Sequence, residues 1–284
     1  MKNSLRRIAA AALTCLLLCF SARAGQSERC DSLSQARAQI AACVAEEGER
    51  LYLPCAPEVY QELMAENAAL LYAMLGSSGM MDYRLTCLDS ASALALNRIA
   101  YYPGLRMAHA AAAGEEERLT VQERAALETA RELAVQAVGG SKLETVCAVH
   151  DLLAERIAYA PSPSAGGYGD NDTALGALLQ GRADCDGYAD AFYLTATLAG
   201  LQAEYQYGQG NGPTGATAHQ WNRVLLEGQW YFLDCCWDRE RLPEGGARAR
   251  RLWFLLGAKE AAAFYQWDAL AHEQPLAENA YPLP

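Results

Sequence analysis

Residues 218–238, AHQWNRVLLEGQWYFLDCCWD, constrain the fold of this chain more than any other stretch. Two runs rich in aliphatic and aromatic residues flank Glu227-Gly228, and a two-residue polar turn between strand-like runs is typical of a tight β-hairpin. If these two residues form the loop, Leu226 pairs with Gln229 and the two runs lie antiparallel. The stretch therefore predicts a sheet built around this hairpin.

Counting outward from this turn also predicts which residues of the two strands lie opposite one another. Moving outward from the turn, Trp221 lies opposite Asp234 and His219 lies opposite Cys236. Paired residues share a face of the sheet, as do residues two apart on one strand. His219 and Asp234 are then diagonal neighbours, about 7 to 8 Å apart at the backbone, which is within side-chain reach. A slip of one residue would break this arrangement.

A second motif, GRADCDGYADAF at residues 181–192, places Cys185 at or next to the start of a helix, because apolar residues recur at helical spacing after it. Backbone N–H groups and the helix dipole at such a position favour the thiolate, which predicts a lowered pKa for Cys185. Asp184 and Asp186 act in the opposite direction, and helix capping is the expected role of both. For Cys185 alone, a buried or disulfide-bonded cysteine is the default interpretation.

The chain has four histidines that could act as a base, and only one has a distinctive setting. His150 falls in the middle of a predicted helix, where we expect a partly exposed surface residue. His109 and His272 lie in alanine-rich stretches that carry no further signal. His219, on the predicted hairpin beside a carboxylate, is the candidate.

Cys185, His219 and Asp234 are together the residue types that a thiol nucleophile needs. An imidazole takes the thiol proton, and a carboxylate holds the imidazole in the right tautomer and stabilises its charged form. A zinc site formed by Cys185, His219, Cys235 and Cys236 is disfavoured, because neighbouring strand residues point to opposite faces and no ligand pair has finger-like spacing.

Three blocks of the sequence, in this order, resemble the core of the transglutaminase-like superfamily of bacterial secreted proteins. GRADCDGYADAF resembles Gly-x-x-Cys-x-Gly-Tyr-Ala, AHQWN resembles His-x-Trp-Asn, and WYFLDCCWD resembles Trp-Tyr-x-x-Asp-x-x-Trp-Asp. The resemblance covers about residues 140–257. Any one block would be weak, but three in the right order and spacing are specific. Asp184 stands where the family is more often apolar, and Cys236 where threonine is expected.

The resemblance implies an α+β, papain-like transglutaminase core, in which a helix bearing Cys185 packs on an antiparallel sheet bearing His219 and Asp234. It implies that Cys185 is the nucleophile, that His219 is the general base and then the acid, and that Asp234 orients His219. It implies no metal and no organic cofactor. The backbone N–H of Cys185 is a plausible oxyanion donor.

A thiol with this support attacks acyl carbons and forms a thioester with a peptide or amide substrate. Water resolves the thioester in a protease or amidase, and an amine resolves it in a transglutaminase. The residues leave that choice open, although hydrolysis is somewhat favoured because it needs no second substrate site. The alternative is a catalytically silent binding module for cell-wall or extracellular protein.

The remaining polar and aromatic residues of the hairpin are expected to be structural. We expect four aromatic residues to belong to the core rather than to a substrate platform: Trp221, Trp230, Tyr231 and Trp237. Asn222 is expected to support the strand that carries the histidine, and Asp238 to make a structural hydrogen bond.

Residues 1–24 have the pattern of a secretory signal peptide, with basic residues, a short apolar run and small residues before Gly25. We therefore expect a secreted or cell-envelope protein, without membrane insertion after signal removal, that acts on peptide, protein or cell-wall peptide. The formal net charge of −11 argues against nucleic acid as a partner. Eight cysteines lie beyond the signal segment, and their spacing does not reveal any pairing.

Two regions are expected in the mature chain. Residues 25–112 are predicted to be a small α/β region and residues 113–284 the transglutaminase-like domain. Thr120 with Glu123, and Ser141 with Glu144, have the spacing of capping boxes that begin two helices. The other predicted elements are a helical segment at 26–48, a strand and a helix within 50–79, strands at 81–88 and 93–104, a Pro/Gly/Ser-rich loop at 160–172, strands at 202–210 and 251–257, and a short helix near 258–267.

Overall fold

The computed structural model describes residues 28–161, 169–212 and 215–283. The predicted signal peptide, residues 1–24, lies outside the described residues, and so does much of the predicted loop at 160–172. Within the described ranges, no helix is long and apolar enough to cross a bilayer.

The structure mixes helices with antiparallel sheets, so the predicted α+β class is confirmed. The helices are α1 (Leu33–Ala45), α2 (Pro57–Ser77), α3 (Pro103–Ala113), α4 (Val121–Ala137), α5 (Lys142–Arg156), α6 (Cys185–Leu198) and α7 (Ala258–Ala261). The strands are β1 (Arg50–Pro54), β2 (Met80–Leu88), β3 (Ala93–Tyr101), β4 (Ala158–Tyr159), β5 (Arg182–Ala183), β6 (Ala203–Gly212), β7 (Gly215–Leu226), β8 (Gln229–Leu233), β9 (Arg239–Arg241), β10 (Ala247–Ala249), β11 (Phe254–Leu256) and β12 (Tyr265–Gln266).

The predicted hairpin is confirmed as β7 and β8 of a five-stranded sheet with the order β11-β8-β7-β6-β12. Leu226 pairs with Gln229, and the register continues to Asn222 opposite Leu233. Glu227 and Gly228 both have positive φ, 51° and 79°. Two left-handed residues give a turn whose twist matches that of the flanking strands. The turn therefore fixes which side chains share a face farther along the hairpin.

The amino-terminal region forms its own three-stranded antiparallel sheet, in which β3 lies between β1 and β2. Its hydrophobic cluster also includes Ala189 of α6 and Tyr205 of β6, so this region packs directly on the larger sheet and its helix. Helix α3, which the sequence analysis did not predict, connects the two cores. Leu105 of this helix belongs to the amino-terminal cluster, and Met107 belongs to the cluster around α6. The boundary between residues 112 and 113 stays a prediction.

Side-chain caps begin helices α4 and α5. At the start of α4, the Thr120 hydroxyl accepts from the Glu123 N–H, and the Glu123 carboxylate accepts from the Thr120 N–H. This confirms the first predicted capping box. At the start of α5, Ser141 accepts from the Glu144 N–H at 3.1 Å. That bond supplies the first half of the second box.

The prediction for His150 is wrong, because this residue is fully buried. Its Nδ1 lies 3.0 Å from Asp151 Oδ1, and its Nε2 lies 3.1 Å from Asp238 Oδ2. Asp238 also accepts from the backbone N–H groups of Leu252 and Trp253, which confirms the structural hydrogen bond predicted for it. Burial lowers the pKa of His150, but the bonds to the two carboxylates outweigh it and raise the pKa above its ordinary value.

Two cysteines, Cys30 and Cys55, join the start of the amino-terminal region to the residue that follows β1. Cys30 and Cys55 are buried and lie opposite one another in a parallel bridge, with Cys30 N–H donating to Pro54 O at 2.7 Å. A hydrogen bond between their thiols lowers the pKa of Cys30. Bridge partners lie about 4.7 to 4.9 Å apart, which is within the span of a disulfide.

We expect Cys30 and Cys55 to form a disulfide when the protein refolds in a glutathione redox buffer. The bond would close a loop across β1 and stabilise the fold by about 3 kcal/mol. Peptide mapping without reduction should recover the two cysteines as one linked peptide, whereas the exposed Cys87 should carry only glutathione. Separate alkylation of Cys30 and Cys55 after oxidation would contradict the prediction.

Candidate active site

A histidine–carboxylate pair lies at the open end of the hairpin. His219 Nε2 is 2.6 Å from Asp234 Oδ2, and both side chains are buried, at 3% and 1% exposure. His219 is on β7, and Asp234 immediately follows the end of β8. The diagonal contact expected from the hairpin register is therefore present. The bond to Asp234 occupies Nε2 and leaves Nδ1 as the other ring nitrogen for proton transfer.

The Asp234 carboxylate is fixed by further hydrogen bonds. Oδ1 accepts from the Trp237 backbone N–H at 3.0 Å, and Oδ2 accepts from the Tyr265 hydroxyl at 3.0 Å. Tyr265 lies on β12 at the edge of the sheet beside β6. Sequence reasoning missed Tyr265, because the strand that carries it is two residues long and pairs far from the hairpin. Its hydroxyl stabilises the charged carboxylate in a position where Oδ2 faces the imidazole.

Aromatic rings enclose the imidazole of His219. The Trp237 ring stacks on it with centroids 4.3 Å apart, and the Trp221 and Tyr265 rings lie 5.7 and 6.2 Å away. Trp221, Trp230 and Tyr231 are buried, as predicted. Trp237 packs against the core cluster around Trp221, as predicted, although it is only half-buried and also covers one face of the histidine. This stacking restricts rotation of the imidazole.

Cys185 is the first residue of α6, and Asp184 is the cap of that helix. Asp184 Oδ1 accepts from the Asp186 N–H at 3.0 Å and from the Gly187 N–H at 3.2 Å. The cap thus occupies these two helix-terminal donors, whereas the Cys185 N–H is not one of them. The predicted capping role is confirmed for Asp184.

Contacts between α6 and β7 set the thiol against the strand that carries His219. One turn into the helix, the Ala189 carbonyl accepts from Asn222 Nδ2 at 3.0 Å, so Asn222 supports this strand as predicted. At the helix start, the Gln220 backbone N–H hydrogen-bonds the Cys185 sulfur. Gln220 is the residue after His219. Cys185 therefore contacts the residue that follows His219, and His219 itself contacts Asp234.

The thiol of Cys185 has a raised pKa, so the expectation of a lowered pKa is wrong. Burial raises the pKa most, and the charges of Asp186 and Asp184 raise it further, whereas the Gln220 N–H acts in the opposite direction. Asp186 Oδ1 also accepts from the thiol, at 3.4 Å. The positive end of the helix is outweighed because two carboxylates and a half-buried setting oppose the thiolate. The resting site accordingly holds a neutral thiol.

The carboxyl group of Asp184 also has a raised pKa. Burial and a hydrogen bond with Asp172 raise the pKa of Asp184 to about 8. The nearby negative charges of Asp186 and Asp172 also raise this pKa, because like charges disfavour ionisation of the carboxyl group.

We expect Asp184→Asn to shift the onset of Cys185 alkylation to lower pH. Asparagine caps a helix as well as aspartate does, so the fold is kept, and the negative charge that Asp184 carries above its pKa of about 8 is removed. The measurement is iodoacetamide labelling of Cys185 against pH, read by peptide mass spectrometry. Glu117→Gln, at an exposed position, should leave the profile unchanged. An unchanged profile in Asp184→Asn would refute this electrostatic account of the thiol.

Among the described residues, one group has the composition and spacing of metal ligands: Asp184, Cys185 and Asp186, whose ligand atoms lie within 4.8 Å of one another. Two of these ligands already have other roles. Asp184 accepts hydrogen bonds from two backbone N–H groups as the helix cap, and Asp186 accepts a hydrogen bond from the thiol. These three groups are thus engaged with one another and with the start of the helix.

Asp190, which the sequence analysis did not single out, joins the amino-terminal region to helix α6. It is fully buried on α6 and accepts from the Gly104 N–H, the Ala174 N–H and the Tyr205 hydroxyl. Burial raises its pKa to about 6. It lies in the GYADAF part of the motif, where the apolar periodicity of α6 gives no sign that a polar residue is buried.

Parts of the chain are similar to known proteins. Residues 129–235 match the sequence model of the Transglutaminase-like superfamily. The chain is also similar to Kyphoscoliosis peptidase of Homo sapiens, with 36% identity over 64 residues, and to that of Mus musculus, with 34% over 64 residues. Each match spans 20% of this chain and 10% of the peptidase. A solved TGase structure aligns with 15% identity and a TM-score of 0.34, covering 66% of this chain and 50% of the other.

Proposed function

We propose, from the premise that residues 129–235 are a transglutaminase-like domain, that this protein is a cysteine-dependent acyl-transfer enzyme. Cys185 is the nucleophile, His219 the base and then the acid, and Asp234 the residue that orients His219. The observation that carries the proposal is the 2.6 Å bond between His219 and Asp234 beside the helix start that holds Cys185.

The reaction begins from the neutral thiol. His219 accepts the Cys185 proton as the sulfur attacks the substrate carbonyl carbon, so that the S–C bond forms while the imidazole becomes charged. Asp234 stabilises that charge through the bond to Nε2. In this mechanism the backbone N–H of Cys185 donates to the oxyanion that develops. Collapse of the intermediate expels the amine, which takes the proton from His219, and leaves a thioester.

Water resolves the thioester in the reaction that we favour. His219 removes a proton from the water, hydroxide adds to the acyl carbon, and the carboxylic acid leaves as the sulfur regains a proton. Hydrolysis needs no second substrate site, and the match to proteins named as peptidases supports it. We propose peptide, protein or cell-wall peptide as the substrate class. Secretion after removal of residues 1–24 is part of this proposal.

The test separates hydrolysis from transfer. A mixture of peptides is incubated with the protein, with and without a biotinylated primary amine. Hydrolysis yields new carboxyl termini and takes up ¹⁸O from labelled water, whereas transfer adds the mass of the amine. We expect ¹⁸O uptake in the wild-type protein and none in Cys185→Ser. If neither product forms, the chain is a silent binding module and the proposal fails.

A further inference from the structure

A small cavity of about 130 Å³ lies beside the thiol, between the amino-terminal region and the larger sheet. Tyr72 of α2 and Tyr83 of β2 contribute to it from the amino-terminal side. Tyr102 and Tyr207 complete an aromatic wall, and Asp186 and Gln220 supply the polar side chains. A cavity of this size admits one side chain and not an extended peptide.

The polar end of the cavity touches the nucleophile. Asp186 Oδ1 is 3.4 Å from the Cys185 sulfur, and the Gln220 N–H hydrogen-bonds the same sulfur. A substrate with its scissile carbonyl at Cys185 therefore places a neighbouring group at or in the cavity. The amino-terminal region thereby contributes to the surface that contacts the substrate beside Cys185.

The charge of the cavity is negative. Asp186 is its acidic residue, and none of the described residues that line it is basic. Burial raises the pKa of Asp186 most, and the charge of His219 and the hydrogen bonds from Cys185 and Tyr102 only partly offset it. Tyrosine rings present their negative faces to a bound cation, so the wall adds to the attraction.

Gln220 gives an independent sign of a ligand. Its side chain is 2% exposed, and Oε1 accepts from the Tyr102 hydroxyl at 3.0 Å. The other end of the amide, Nε2, is buried and has no partner among the described residues. A buried donor without an acceptor costs about 1 to 3 kcal/mol. A ligand that brings an acceptor oxygen would satisfy it.

We propose that this cavity is a subsite for a primary ammonium group of the acyl substrate, with Asp186 as its ion-pair partner and Gln220 Nε2 donating to a substrate carbonyl oxygen nearby. The proposal rests on the proposed function and adds a substrate class to it. The ammonium group belongs either to a lysine-like side chain or to the amino terminus of a peptide. Both sources offer a carbonyl oxygen close to the charge.

The bound group is recognised and does not react. An ammonium ion paired with Asp186 has no lone pair, so it cannot attack the thioester as an acceptor amine does. The cavity therefore selects the acyl substrate that reacts with Cys185. It does not select the nucleophile that resolves the thioester. The aromatic wall and the carboxylate both discriminate against an anionic or neutral side chain of the same length.

The experiment compares matched peptides that carry lysine, norleucine or glutamate at each scanned position, each with a free or an acetylated amino terminus. We expect kcat/KM for a charged peptide to exceed that for its neutral counterpart by about 10- to 100-fold. A preference for lysine in acetylated peptides assigns the side chain, and a preference only for free amino termini assigns the terminus. Equal rates for charged and neutral peptides would overturn the proposal, and so would covalent incorporation of the amine.

Variants separate a loss of recognition from a general loss of activity or folding, because the readout is the ratio of kcat/KM for charged and neutral peptides. Asp186→Asn should reduce the ratio to about one, and Tyr72→Leu should lower it about 2- to 5-fold through loss of the ring. Asp184→Asn is the matched control, since it removes a carboxylate beside the thiol but outside the cavity, and the ratio should persist. An unchanged ratio in Asp186→Asn would overturn the assignment.

Failure of the subsite and failure of the proposed function give different results. Hydrolysis without any preference for charge refutes the subsite alone. Tighter calorimetric binding of the lysine or free-amino-terminus peptide to Cys185→Ala, without turnover by the wild-type protein, supports the subsite and refutes the enzyme. Equal calorimetric affinities of Cys185→Ala for charged and neutral peptides refute the subsite whatever the turnover.

Discussion

Replacing Asp234 with asparagine is expected to lower kcat about 10³- to 10⁴-fold, because the amide keeps the shape of the carboxylate but not its charge. Asp234 Oδ2 accepts from Tyr265 at 3.0 Å and contacts His219 Nε2 at 2.6 Å. With an amide there, the imidazolium that forms during attack is no longer stabilised, and the wrong tautomer of His219 is favoured. Steady-state kinetics with the best peptide substrate measures the effect.

Asp238→Asn is the matched control for this variant. Asp238 is equally buried but contacts His150 and two backbone N–H groups of residues 252–253 instead of His219. We expect a lower midpoint of thermal unfolding with most of the activity kept at low temperature. If Asp238→Asn lost activity and Asp234→Asn did not, the assignment of the orienting carboxylate would be wrong.

His150→Ala is expected to destabilise the protein by about 3 to 5 kcal/mol, which is large for a residue outside the site. The change removes the partner of the fully buried Asp238 and leaves a space beside Phe254, whose ring centroid is 4.6 Å from that of His150. Urea unfolding monitored by circular dichroism measures the loss. His109→Ala, at a partly exposed position, should cost much less.

The pH dependence of this loss follows from the raised pKa of His150. A histidine whose pKa is higher in the folded state contributes its full stabilisation below its unfolded pKa, about 6.5, and loses it as the pH rises through the folded value. The difference between wild type and His150→Ala should therefore shrink on going from pH 6 to alkaline pH. A difference that grows over this range would contradict the charged assignment.

The hairpin and the contact between His219 and Asp234 were predictable because they depend on local rules. A two-residue turn fixes the register, and a register fixes which residues share a face, so His219 and Asp234 followed from counting. The start of α6 at Cys185 followed from apolar spacing. The strands of the amino-terminal sheet also followed from strand-like runs, although their order in the sheet and the helix beginning at Pro103 did not.

His150 shows where the same reasoning failed although the signal was present. Val146, His150 and Leu153 are spaced as one helix face, and all three are buried. A histidine on this face was expected to be partly exposed, because a buried imidazole needs hydrogen-bond partners and the sequence shows none nearby on the helix face. One of its two carboxylate partners, Asp238, is 88 residues away in the chain. Residues in contact across such a separation cannot be found from a single sequence.

The pKa of Cys185 could not be predicted for a related reason. The helix start alone favours a thiolate, and the outcome depends on burial against β7 and on the directions of two aspartates. The cavity beside it likewise requires tyrosines from two regions that are far apart in the chain to meet at Asp186. The pKa of Cys185 and the shape of the cavity both depend on tertiary packing, which the sequence pattern does not predict.

The most direct test of the central claim is the intact mass of the protein during turnover. A peptide ester or thioester substrate is mixed with the enzyme, quenched in acid within seconds and analysed by mass spectrometry, with peptide mapping to locate the adduct. We predict that the acyl group appears on Cys185 and persists longer in Asp234→Asn. Turnover without an adduct, an adduct on another cysteine, or full turnover by Cys185→Ala would contradict the claim that Cys185 is the nucleophile.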